Sequence, residues 1–370
     1  MKYLNSESKK ILCANADSPF AYFGWPSVAR LQDGTLAMAT SGFRFQHVCP
    51  FGKGVICYSR DEGKTWTLPA VVMDTLLDDR DSGITPFGNG SAIFTSFNNT
   101  TAFQRGVNEG RLKSDNPVEL AKGKLIQAYL DYADALGTQD KYLGSTYRIS
   151  RDGGYTFGEI RKMPITAPHG PARLNDGTLL YVGRRYDPND RFDDAKTPYV
   201  ECWHSADGET WEKWAAIDSI FDGDDVLYSC EPHAVQLPDG KIVVHIRVQG
   251  GKRGVFTVYQ SDSVDGGHTF SSPRRLLDWN GGSPAHLLLH SSGRLMSVYG
   301  YRNAPFGIRV MLSKDGGDTW EKDWILDDTA ENGDLGYPAT VELSDGSLLT
   351  VFYESVKGTA VIMQKNWKLP

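Results

Sequence analysis

The sequence predicts an all-β fold: a six-bladed β-propeller with a helical insertion in blade 2, forming one domain over residues 1–370. Two interleaved repeats predict it. The first is an apolar run, a turn containing glycine, and a second apolar run. Its copies are RLQDGTLAMA, TPFGNGSAIF, RLNDGTLLYV, QLPDGKIVVH, LHSSGRLMSV and ELSDGSLLTV. The second is the phrase SRDEGKTW (59–66), which returns as SRDGGYTF (150–157), SADGETW (205–211), SVDGGHTF (263–270) and SKDGGDTW (313–320). Asp-Gly or Asn-Gly between β-rich runs signals a hairpin, because glycine takes positive φ without steric cost. Six hairpins and five phrases make one unit of roughly four strands, repeated six times. Such a unit cannot bury its faces alone, whereas a closed ring of six leaves few exposed edges.

Along the chain, residues 8–13 (SKKILC) precede the first hairpin. With 359–364 (TAVIMQ) they are the candidates for ring closure, since the last blade lacks the phrase and is expected to borrow a strand from the other terminus. The turn glycines of blades 1 to 6 are Gly34, Gly90, Gly177, Gly240, Gly293 and Gly346. The interval from Gly90 to Gly177 is the longest and locates the insertion at about 106–140. Within it, residues 115–137 read as a helix. Asp115 or Asn116 caps it, Pro117 suits its first turn, and Gly137 can end it. Val118, Ala121, Leu125, Tyr129 and Ala133 supply the packed stripe. In the recurring phrase, Ser and Asp bond nearby backbone N–H groups, glycine supplies the bend and the aromatic residue packs. Copies in five different blades cannot share one active site, so the phrase is structural.

Composition narrows the partners. The formal charge is −7 and no basic cluster stands out, which argues against nucleic acid. No apolar run approaches the roughly 18 residues that a membrane span needs. The first residues lack the apolar core of a signal peptide. Cys13, Cys49, Cys57, Cys202 and Cys230 are scattered and lack metal-ligand spacing, as expected of reduced thiols in a cytoplasmic protein. No cofactor is implied, and the oligomeric state is not legible.

Strand register locates a site. In an up-and-down blade, the start of strand one and the end of strand two lie at the same end, opposite the hairpin turn. Nine residues before the turn glycines stand Trp25, Asp81, Pro168, Glu231, Pro284 and Tyr337. Equivalent positions in different blades converge on the axis, so Asp81, Glu231 and Tyr337 are expected in one pocket. Arg44, Arg184 or Arg185, Arg247 and Arg302 fall near the end of strand two, crowding the same face. Such a cluster suits an anion, although some members are expected to pair with Asp78, Asp79, Asp81 or Glu354. His169, His233 and His286 fall near this end by the same count, as pocket walls or as catalysts. Trp25 is either a sugar platform or core packing. The insertion leaves from the loop between strands two and three of blade 2, on this same face.

The recurring phrase resembles the Asp-box of the sialidase (neuraminidase) superfamily, and the resemblance extends to site residues. Glu231 in CEPHAVQLPDG followed by Arg247 in VVHIRV resembles the glutamate and arginine of that family. Tyr337 in DLGYPATVELSDGSLLTVFYE, ending at Glu354, resembles its nucleophilic tyrosine. DDRDSGI, which holds Arg80, together with APHGP, EPH and GSPAHL, resembles a bacterial sialidase-like subgroup. The implied chemistry is hydrolysis of a terminal acidic sugar. Arginines would hold its carboxylate, and a neutral tyrosine would attack where a carboxylate would be repelled. A free tyrosine has a pKa of about 10, so Glu231 would act as its base.

Two departures stand out. The family's first arginine is missing: FGWPSVARLQDG has Trp25 there, with Arg44 as a candidate replacement. The loop expected to carry the acid, SGFRFQHVCPFGKGVICYS, has no Asp or Glu, leaving His47 or Asp81. The third arginine is Arg302 or Arg309. Three functions follow: an exo-glycosidase on a terminal acidic sugar, a glycosidase or lyase on another sugar using Asp81 and Glu231, and a non-catalytic carbohydrate-binding propeller.

Overall fold

The structure is a computed structural model that describes residues 2–15, 17–88, 90–186 and 200–370. Asn89 of the second hairpin lies outside the described residues. The turn glycines all have positive φ, from 71° at Gly90 to 93° at Gly240. They close antiparallel hairpins between the first two strands of six sheets. Blade 1 runs Tyr22–Arg30, Leu36–Arg44, Lys53–Ser59 and Ala70–Met73. Blade 6 is built from Leu335–Glu342, Leu348–Val356 and Thr359–Lys368, and Lys10–Cys13 completes it, with Cys13 opposite Ile362. The ring therefore closes with the two segments expected. Lys9 adds an ionic latch, reaching Asp327 at 3.1 Å and Glu354 at 2.7 Å. Glu354 thus pairs with a lysine rather than with one of the arginines.

The recurring phrases form the turns between strands three and four. Asp61 accepts from the Thr65 N–H and hydroxyl, at 2.9 and 2.6 Å, and Ser59 accepts from the Gly63 N–H. These bonds favour the ionised carboxyl and pull Asp61 down to about 2. The aromatic residues fasten neighbouring blades. Trp66 of blade 1 donates to Gln364 of blade 6, and Trp320 of blade 5 donates to Gln260 of blade 4, both at 2.8 Å. Apolar side chains of adjacent sheets fill the spaces between, as where Met38 and Val55 of blade 1 meet Val351 and Ile362 of blade 6.

The insertion holds more helix than the sequence suggests. α1 spans Thr101–Leu112 and α2 spans Pro117–Leu136, followed by a single turn, Gln139–Tyr142. α2 has the expected ends: Asn116 caps the Val118 N–H, and Gly137 is left-handed. Its buried stripe is Gly123, Ile126, Leu130 and Ala133. Val118, Ala121 and Leu125 are exposed, so the packed face is rotated from the one expected. α1 leaves no apolar signal in the sequence, because its buried residues are Thr101, Gln104, Asn108 and Arg111. A polar stripe leaves no hydrophobic period. No helix among the described residues is long and apolar enough to cross a membrane.

Candidate active site

The axial residues are placed by a repeated distortion of the inner strands. Strand pairing slips in five blades, between Gly24 and Ser27, Arg80 and Gly83, Cys230 and His233, Gly282 and Ala285, and Gly336 and Ala339. At four of these bulges a residue with a side chain adopts positive φ: Trp25 (57°), Asp81 (47°), Glu231 (48°) and Tyr337 (48°). These are the positions nine residues before the turn glycines. A left-handed non-glycine residue costs about 1–3 kcal/mol, and such strain gathers at functional sites. Each bulge re-aims one side chain out of the alternating pattern.

Three of these blades join in one constellation. The Tyr337 hydroxyl donates to Glu231 Oε1 at 2.6 Å. Arg247 Nη1 donates to Glu231 Oε2 at 2.6 Å and to the Tyr337 oxygen at 3.1 Å. Gln249 accepts from Arg247 Nε and Nη2 at 3.0 and 2.7 Å, fixing the guanidinium plane. Burial, with the charge of Glu231, holds the Tyr337 phenol well above its ordinary value, while Arg247 and Arg302 oppose this. The Arg302 guanidinium lies 5.8 Å from the centre of the Tyr337 ring, and its Nε and Nη2 have no hydrogen-bond partner among the described residues.

Asp81 enters from blade 2. Burial, with the charge of Glu231, pushes its carboxyl up to about 7 against the pull of Arg80. Its Oδ1 has no hydrogen-bond partner among the described residues, nor does Arg80 Nε. A cavity of about 380 Å³ opens onto Arg80, Asp81, Glu231 and Arg247. His47 and Arg185 also line it. Tyr337 and Arg302 lie outside this lining, and Tyr337 is 5% exposed.

Of the other sequence candidates, His47 lies at the cavity, and Trp25, Arg44, Arg309, His169, His233 and His286 fall elsewhere. Trp25 is buried core rather than a platform: its ring lies under Arg80 at 4.4 Å and Arg44 at 4.9 Å. Arg44 is fully buried, pairs with Asp78 at 2.5 Å, and donates to the carbonyls of His47 and Asp79, so it is structural. Arg309 is buried in the third strand of blade 5, bonded to the Asp327 and Pro305 carbonyls, so of Arg302 and Arg309 it is Arg302 that joins Arg247 beside Tyr337. His169, His233 and His286 pack together with ring centres 4.3–5.4 Å apart. They line a separate axial cavity of about 280 Å³. The reason is strand rise: at roughly 3.3 Å per residue, positions one or two past the bulge already lie deeper along the axis. Burial holds all three histidines neutral, His233 down to about 3. His47 is at the cavity, edge-on to Trp25, with Nδ1 3.1 Å from the Tyr22 hydroxyl and 3.3 Å from Asp334. No group of three or more His, Cys, Asp or Glu among the described residues is arranged to hold a metal.

Gln249 and Asp334 were missed by sequence reasoning. Gln249 sits two residues beyond Arg247 on one strand and so on the same face, a signal that period-two counting could have used. Asp334 accepts from Tyr22 and Tyr353, joining blades 1 and 6 in a contact that only the closed ring creates.

Residues 96–350 match a family described as BNR repeat-like domain. No curated protein matches the chain in sequence. Among solved structures, a protein of unknown function from Dyadobacter fermentans is 20% identical, with a TM-score of 0.76 and full coverage of both chains. The Hadza microbial sialidase Hz136 is 16% identical at a TM-score of 0.67, covering 98% of this chain and 69% of that one. The intramolecular trans-sialidase of Ruminococcus gnavus is 13% identical at 0.64, covering 98% and 97%. At these identities the likeness is one of fold.

Proposed function

The chain belongs to the BNR repeat-like domain family, and from that premise we propose that it is a glycosidase that removes a terminal anionic sugar, a sialic acid or a related keto-acid sugar. The observation that carries this reading is the Tyr337 hydroxyl donating to Glu231 at 2.6 Å while Arg247 spans both. Tyr337 Oη attacks the anomeric carbon as its proton passes to Glu231. The glycosidic C–O bond breaks, and the departing oxygen takes the proton of Asp81, whose carboxyl near 7 suits an acid at neutral pH. Water then releases the sugar from Tyr337, with Asp81 returning as base. Arg247, Arg302 and Arg80 supply the positive field for the carboxylate. Arg80 lies on the face of Trp25, the residue at the position of the absent family arginine.

Turnover of a fluorogenic sialoside and keto-acid sugar panel tests this. Tyr337→Phe should lower kcat by at least about a hundredfold with KM little changed. Unchanged turnover in this variant would reject the role of Tyr337.

One observation favours a second reading. The cavity opens onto Asp81 and Glu231, while Tyr337 stands behind them. A glycosidase or lyase using those two carboxyls on another sugar would turn over neutral glycosides and tolerate Tyr337→Phe. Calorimetric binding of a sugar without product after prolonged incubation would instead indicate a carbohydrate-binding propeller.

A further inference from the structure

We infer that the insertion of blade 2 forms a subsite for the leaving-group sugar, with Phe103 as its platform; the inference rests on the glycosidase reading above. The cavity lined by Asp81 and Glu231 is also lined by Phe97, Asn99, Thr100 and Phe103. Phe103 is 47% exposed and lines this cavity. Sugar sites pair an apolar surface with a few placed polar groups. Here the ring stands beside Asn99 and Thr100.

The platform is held rigidly to the strand that carries the acid. Arg80, next to Asp81, is the direct cross-strand partner of Phe97. Three residues beyond Phe97, Thr100 caps α1 by accepting from the Phe103 N–H at 3.0 Å. One residue further, Gln104 donates to Asp78 at 3.0 Å, and Asp78 pairs with Arg44 and lies 3.8 Å from Arg80. An acid must reach the glycosidic oxygen, so the leaving group lies on the side of Asp81. Phe97 and Phe103 come from that same blade. The substrate class implied is therefore an oligosaccharide with a second sugar in the leaving position, its C–H face on Phe103.

The test is calorimetric titration of the Tyr337→Phe protein, in which turnover is slowed, with free N-acetylneuraminic acid and with sialyllactose. Sialyllactose should bind more tightly. Phe103→Ala should weaken it about five- to tenfold and leave the monosaccharide unchanged, while Phe103→Trp should keep the preference. Thermal melting checks that each variant is folded. Unchanged sialyllactose affinity in Phe103→Ala, with the monosaccharide still bound, overturns the subsite and leaves the glycosidase reading standing. Failure of both sugars to bind overturns the sialic-acid reading, and the subsite for a sialoside falls with it.

Discussion

At Asp81, burial, backbone strain and neighbouring charge meet in one residue. It is buried, strained at φ 47°, and held protonated to about pH 7 by burial and by Glu231. If it donates the proton to the leaving group, the active form is lost as pH rises through about 7. The rate should then fall about tenfold per unit on the alkaline side. Asp81→Asn tolerates the left-handed backbone and should remove that limb along with about a hundredfold or more of kcat, as a pH–rate profile would show. Stability moves with the same proton. The folded-state value lies above the ordinary value of about 3.9, so the contribution of Asp81 is fully present below about pH 4 and lost as pH rises through about 7. Asp79, also pushed up to about 7 by burial, acts in the same direction. Urea unfolding should therefore show a shallower loss of stability between pH 4.5 and 7.5 in Asp81→Asn than in the wild type. That Asp81, Glu231 and Tyr337 come together near the axis was legible from register. Their left-handed backbone was not, because glutamate and tyrosine rarely take positive φ and an aspartate in a strand does so only occasionally.

Among the elements, the helical hairpin shows where reading by periodicity fails. The ends of α2 were legible because capping is local chemistry: Asn116 and Gly137 act within their own turns. Its packed face was not, because a helix buries whatever its neighbour covers. That neighbour, α1, presents polar side chains, with Asn108 donating to the Gly123 carbonyl at 2.9 Å. Gly123 marks the close approach, since a Cβ there would stand 2.9 Å from Arg111 Cβ. Gly123→Ala should force the helices apart and cost about 1–3 kcal/mol, read as a lower midpoint in denaturant. Because α1 carries Phe103, the same variant should weaken sialyllactose more than the monosaccharide.

For the whole molecule, closure of the ring is the decisive contact. Lys10–Cys13 covers the edge of Thr359–Lys368, and Lys9 compensates the buried Asp327 and Glu354. Deleting residues 2–13 would uncover a strand edge and leave those carboxylates short of a partner. The expected result is a lower melting temperature and concentration-dependent light scattering; an unchanged melt would show that the latch is dispensable. The sequence by itself determined the blade count, the hairpins, the Asp-containing turns and the closing segments, because each depends on hydrogen bonds and φ preferences spanning a few residues and repeats the same signal around the ring. The tertiary structure alone decided which arginines face the site. Arg44, Arg247, Arg302 and Arg309 look alike along the chain, yet Asp78 and the carbonyls of Asp327 and Pro305 bind two of them within the wall. Arg247 and Arg302 lie against Tyr337. A guanidinium goes where buried acceptors are, and residues distant in sequence place those acceptors.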